Sequence, residues 1–313
     1  MKLLSIATCL FTLMTSLVYA QNTATNTTTT SSTIAKYGNS FKNQGGNILH
    51  DKVNVYIIFY GNWTSPQAQQ EQAIFMHFVE NISISPWFKL CNIFFIFGFK
   101  ITSLTSLLVN QYFDSSGRTV TGPLNLAAAV NDAGSQSLNL TSAAHKKIIV
   151  DAVNSGYLSP INRIDSNGIY IIMGGPDVKD AEFCTANCGY NSYDNDFQYM
   201  FIGYPGICPN SCMPQVNVKS SPNNSPAMDA AITIFSHELQ DILTDPRNNA
   251  WVIQDNGSNI ELGDFCSGTG TVSYQFGNIT QENSGGYNIE LAGNKYLVQT
   301  IFDLETKQCS LGK

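Results

Sequence analysis

On a helix, residues four apart project from the same side, and the run Ser236-His237-Glu238-Leu239-Gln240-Asp241 brings a His and an Asp together by that spacing. Zinc proteases place their first two metal ligands this way in H-E-x-x-H, with the Glu as general base. Here the fifth position is Asp, a harder oxygen donor. A catalytic metal site keeps three protein ligands and an open position, so a further ligand must come from elsewhere in the chain. Glu261 and Asp264, beyond an Asn-Gly turn, are the nearest candidates. The metal-ligating set is therefore read as His237, Asp241, Glu261 and Asp264, with zinc as the implied cofactor and Glu238 as the candidate catalytic base. The plainer alternative is an acidic helix edge, with His237 merely hydrogen-bonded and Asp245-Pro246 ending the helix.

Other catalytic patterns are missing. The chain contains no G-x-S-x-G elbow, P-loop or G-x-G-x-x-G. His50, His77 and His145 stand outside any motif. The stretch Asp255-Asn-Gly-Ser-Asn is faintly calcium-like but lacks the full spaced ligand set, so a hairpin turn is expected there. Paired carboxylates for glycoside cleavage are a spatial relation that one chain does not disclose.

The elements that must carry the candidate groups follow from periodicity. Apolar residues at Ala227, Ala231, Ile234, Phe235, Leu239 and Ile242 mark residues 226–243 as the clearest helix. Buried strands are expected at 53–60, 168–173, 197–204 and 296–302, where β-branched and aromatic residues cluster. Helices are expected at 65–79, 123–133 and 141–154, the first with Pro in its opening turn. A turn is expected at 112–117, and a hairpin across Asn256-Gly257. Strands and helices alternate without repeats. The fold class is α/β, or a mixed α+β variant, as a single disulfide-stabilised domain with a central sheet flanked by helices.

Composition places the chain. Of 313 residues 43% are apolar and only 12% charged, with 16 basic and 23 acidic groups giving a net charge of −7. A nucleic-acid binder needs a clustered basic face, which is missing. Disorder is excluded by the high apolar and aromatic content. One lysine, a short apolar run and Val18-Tyr19-Ala20 read as a secretory signal over residues 1–20, too short for a membrane span. Residues 21–49 follow as a low-complexity Thr/Asn/Ser-rich stretch, and residues 50–313 as the folded domain. Sequons at Asn26, Asn62, Asn81, Asn139, Asn256 and Asn278 are expected to carry glycans, and Asn223 is disfavoured by the Pro that trails it. Localisation is thus expected to be secreted, with extracellular matrix or cell-wall components as partners, no nucleic acid, and no membrane after signal cleavage.

Cys184, Cys188, Cys208, Cys212, Cys266 and Cys309 are expected to form disulfides in an oxidising compartment, in preference to a four-cysteine zinc ribbon. Six cysteines allow 15 connectivities, which spacing does not separate. Cys91 is the odd one, and it opens an anomalous insertion at 91–109 rich in Phe, Ile, Asn, Lys and Leu, the residues that AT-rich noncoding DNA yields. A retained intron is the reading given to it. Trp63, Trp87 and Trp251 could stack on sugars, although aromatics at strand positions more commonly belong to the core.

Several stretches together resemble the phosphate-induced protein, or exordium-like, family. They include Tyr60-Gly-Asn-Trp-Thr64, Phe183-Cys-Thr-Ala-Asn-Cys-Gly189, Ile202-Gly-Tyr-Pro-Gly-Ile-Cys-Pro-Asn-Ser-Cys212, Ser236-His-Glu-Leu239, Glu261-Leu-Gly-Asp-Phe-Cys266 and Asn294-Lys-Tyr-Leu-Val-Gln299. The resemblance implies a secreted, wall- or matrix-associated protein linked to growth or cell expansion, with no firmly assigned reaction. It covers His237-Glu238, Glu261 and Asp264, and where this chain has Asp241 the family more often shows Glu. An extracellular metal-dependent, peptidase-like hydrolase and a carbohydrate-binding matrix protein are the alternatives.

Overall fold

A computed structural model describes residues 32–88, 111–159, 161–268 and 273–312. The signal segment, Asn26 and the 91–109 insertion with Cys91 lie outside the described residues. In chain order come α1 (Ser32–Tyr37), β1 (Val53–Tyr60), α2 (Pro66–Asn81), β2 (Leu124–Asp132), β3 (Asn139–Leu140), α3 (Ser142–Asn154), β4 (Ile169–Gly174) and β5 (Lys179–Asp180). Next are β6 (Gly189–Tyr193), β7 (Gln198–Ile202), the one-turn α4 (Pro209–Cys212) and α5 (Pro226–Thr244). Four short hairpins complete the chain: β8 (Ile253–Asp255) with β9 (Ser258–Ile260), β10 (Thr280–Glu282) with β11 (Gly285–Tyr287), β12 (Ile289–Leu291) with β13 (Asn294–Tyr296), and β14 (Ile301–Asp303) with β15 (Gln308–Ser310).

The central sheet has the order β2-β1-β4-β7-β6. Its first four strands are parallel, and β6 runs antiparallel at one edge. Strands β1, β4 and β7 read as continuous apolar runs because helices and loops cover both of their faces. Side-chain caps start the helices: Ser65 accepts from Ala68 N–H, Thr141 from Ala144 N–H and Ser225 from Met228 N–H. Sheet, helices and hairpins share one core, so the chain is a single mixed α/β domain. That core also takes in Ile34, Phe41, Ile48 and Leu49, so packed structure begins ahead of residue 50.

Two expected elements are corrected. Residues 123–133 form the strand β2, not a helix, paired in parallel with β1 from Leu124 opposite Val53 to Asp132 opposite Tyr60. The alanines at 127–129 suit a helix, but Leu124, Leu126, Ala128 and Val130 alternate, and pairing with a buried strand overrides propensity. The strand expected over 296–302 is interrupted, because Leu297 to Thr300 spend their main-chain groups on other partners. The Leu297 carbonyl accepts from Thr233 Oγ1 at 2.6 Å, Gln299 N–H donates to Ser236 Oγ at 3.0 Å, and the Thr300 carbonyl accepts from Gln240 at 3.3 Å. These three residues of α5 pin an irregular segment where a ladder was expected. The three tryptophans are core: each is at most 2% exposed, and each indole N–H donates to a main-chain carbonyl. None of them offers a face to a sugar.

The pairing left open by spacing is Cys184–Cys208, Cys188–Cys212 and Cys266–Cys309. The first two staple the turn before β6 to the turn after β7, each across 24 residues, so either alone removes about 3 kcal/mol of unfolded-chain entropy. The third ties the segment after Asp264 to β15.

His145 of α3 is fully buried, stacked on Phe201 with its Nδ1 2.6 Å from the Tyr190 hydroxyl. Burial pushes its imidazole down to about 4, against a smaller opposing pull from Asp180. The unfolded chain protonates this group near pH 6.5, the folded chain only near 4, so stability is lost as pH falls through that window. The loss is about 3 kcal/mol. The destabilisation caused by His145→Gln, measured by urea unfolding, is therefore expected to shrink by about that amount between pH 7 and pH 4. A pH-independent penalty would contradict it.

Candidate metal centre

From Ala227 to Thr244 every residue of α5 is buried except His237. A helix enclosed on all sides brings its polar residues into the interior, where each needs a partner. His237, Glu238 and Asp241 lie on the stretch facing the β6 edge and the segment after β9. One ligand atom from each falls within 4.8 Å of the others. His237 Nε2 stands 3.6 Å from Asp241 Oδ2 and 4.0 Å from Asp264 Oδ1. Glu261 joins from the other side, as Asn191 Nδ2 on β6 lies 3.5 Å from both Glu238 Oε2 and Glu261 Oε2. Of the five residues singled out in the sequence, His237, Glu238 and Asp241 form the close group, Asp264 stands next to His237, and Glu261 is linked to Glu238 through Asn191. Asp264 sits at the mouth, with its side chain 39% exposed, while that of Asp241 is 3% exposed.

Residues with no motif to announce them arrange this group. Gln299, held by the pinned segment after β13, donates from Nε2 to the Gly263 carbonyl at 2.5 Å, which turns its Oε1 toward His237 Nδ1 at 2.9 Å. An amide oxygen only accepts, so Nδ1 carries a proton, and Nε2 is the ring nitrogen turned to the carboxylates. A tetrahedral zinc with bonds of about 2.0–2.1 Å sets its ligand atoms about 3.3 Å apart, close to the spacing found here. Gly263 itself is required. Its N–H donates to Asp241 Oδ1 at 2.5 Å, and a Cβ there would stand 2.8 Å from His237 Nδ1. Tyr274 stacks on the His237 ring with centroids 5.1 Å apart.

Electrostatics point the same way. Burial first, then neighbouring carboxylates, holds the Asp241 and Glu261 carboxyls well above the usual carboxylate range. Glu238 is raised by burial, with His237 opposing. The Tyr274 phenol is raised by burial and by Glu238, Asp241 and Asp264. Among the described residues, no Lys or Arg forms an ion pair with any of these four carboxyl groups. Glu261 Oε1 is buried without a hydrogen-bond partner. A buried carboxylate oxygen left without a partner, in an acidic group whose histidine turns Nε2 to two carboxylates, is a donor set arranged for a cation.

The sequence profile described as "Phosphate-induced protein 1 conserved region" matches residues 41–311, the span that holds this centre and all three disulfides. The chain belongs to the phosphate-induced protein 1 family. Among its curated relatives, Protein EXORDIUM-like 3 of Arabidopsis thaliana is 25% identical over 296 residues, covering 85% of this chain and 81% of the relative. Protein EXORDIUM-like 5 of the same plant is 24% identical, covering 82% of this chain and 73% of its own, and Protein EXORDIUM-like 1 is 24% identical, covering 87% and 89%. None of these names states a reaction. No solved structure matches the chain at a significant level. Among the described residues of this family member, no helix is long and apolar enough to cross a membrane.

Proposed function

We propose that this family member is a secreted, matrix- or wall-associated protein that binds one zinc ion through His237, Asp241 and a third carboxylate from Asp264 or Glu261, keeps a fourth position open to water, and hydrolyses peptide bonds with Glu238 as general base. The observation that carries the proposal is the orientation of the His237 ring: Gln299 Oε1 accepts from Nδ1–H, which leaves Nε2 facing two carboxylates. Bound there, zinc would polarise a carbonyl and lower the pKa of a water molecule. Glu238, buried and steadied by Asn191, would take a proton from that water and return it to the leaving amine. The stacked Tyr274 ring keeps the imidazole from rotating away.

Secretion is supported by the signal-like amino terminus and by three disulfides, which persist in oxidising compartments. Among the sequons within the described residues, Asn62, Asn139, Asn256 and Asn278 are exposed. Asn81 is half-buried and donates to the His77 carbonyl, and Asn223 is held by Asp229 and Lys295, so both are poorer acceptors.

Elemental analysis of the secreted protein beside a His237→Ala variant tests the metal centre. The expected outcome is about one equivalent of zinc, lost in the variant while the fold persists. Folded wild-type protein that takes up no metal when zinc is offered would refute it.

A further inference from the structure

β6 ends the central sheet, and its register against β7 fixes which of its main-chain groups are free. Gly203 N–H donates to the Cys188 carbonyl and Asp194 N–H to the Phe197 carbonyl. In an antiparallel ladder the bonded pairs alternate, so Tyr190 and Ser192 face β7 while Gly189, Asn191 and Tyr193 turn their N–H and C=O groups outward. Among the described residues no strand pairs with that outer side. It is half-exposed, ending at the exposed Tyr193. The edge is also tied to the metal centre. Gly189 lets α5 approach so closely that a Cβ would stand 2.7 Å from Ile234, and Asn191 turns its carboxamide and its N–H to Glu238.

We infer that the outer edge of β6 binds an extended polypeptide segment as a sixth strand, laying a peptide bond across the mouth of the site beside Glu238. The inference deepens the hydrolase proposal and rests on it. An edge strand presents donors and acceptors at a two-residue repeat, which matches the main chain of another strand and not the hydroxyls of a polysaccharide. With the Asn191 N–H given to Glu238, pairing falls to the Asn191 carbonyl and to the N–H and C=O of Tyr193. Recognition through main-chain groups selects for unfolded or flexible segments rather than for one side chain.

Binding is best separated from turnover by carrying Glu238→Gln in every sample, loading zinc, and measuring capture of a random-sequence decapeptide library. Tyr193→Pro deletes an outward N–H at an edge position where proline is tolerated, and Tyr193→Ala keeps that N–H while removing the ring. A tenfold or greater loss of peptide binding in the proline variant, with the alanine variant near its parent, is the expected result. Libraries N-methylated at alternate positions repeat the test without altering the protein, and one methylation phase should bind at least tenfold more weakly than the other. Equal binding in both phases, equal loss in both variants, or no capture at all overturns the edge assignment. Zinc content measured on the same samples reports separately on the metal centre.

Discussion

Glu238→Gln is expected to lower the rate of peptide hydrolysis by about a thousandfold while leaving zinc content at one equivalent. Glutamine retains the shape of the side chain and an oxygen for the Asn191 carboxamide, so the contact to β6 survives. What it removes is the ability to take a proton. Glu238 is 5% exposed and its carboxyl is raised by burial, with His237 opposing, which places a proton-accepting group in a water-poor setting. The check is a steady-state assay on a decapeptide library together with metal analysis of the same preparation. A variant that keeps full activity would remove Glu238 from the chemistry. A variant that loses its zinc would make Glu238 a ligand and force a different base.

Chelation should cost the fold much of its thermal margin. The centre joins α5 to the segment after β9, and Gln299 adds the segment between β13 and β14. Zinc at a thousandfold above its dissociation constant stabilises the folded state by about 4 kcal/mol. For a domain of this size that corresponds to roughly 7–8 °C in the melting midpoint. The expected observation is a drop of that size on adding a chelator, reversed by excess zinc, and no response in His237→Ala. A wild-type midpoint indifferent to chelator and zinc would contradict the proposal.

Much of this was legible in the residues because the physical signals are local. The long strand runs, the Pro66 and Pro226 helix starts and the Asn-Gly hairpin each follow from side-chain chemistry within a few positions. The i, i+4 spacing of His237 and Asp241 follows in the same way, and Glu261 and Asp264 lay close enough in the chain to be tied to it. The positioning residues did not show. Gln299 sits in Leu-Val-Gln-Thr, an apolar context that suggests a strand, and only the hydroxyls of Thr233 and Ser236 on α5 explain why the main chain leaves the ladder there. Asn191 belongs to β6, whose Gly-Tyr-Asn-Ser-Tyr carries little strand signal because it lies at an edge and is only partly buried. β2 was obscured by its alanines. Gly263 lies in a loop, and only the His237 ring packed against it shows why a side chain does not fit there.

The most direct test of the central claim is a crystal structure of the zinc-loaded secreted protein with diffraction measured on both sides of the zinc absorption edge. The predicted result is a single anomalous peak about 2.0–2.2 Å from His237 Nε2 and from a carboxylate oxygen of Asp241, with Asp264 or Glu261 as the third ligand and Gln299 still on Nδ1. A peak elsewhere, or none in zinc-soaked crystals with His237 Nε2 hydrogen-bonded instead to Asp241 or Asp264, would contradict it.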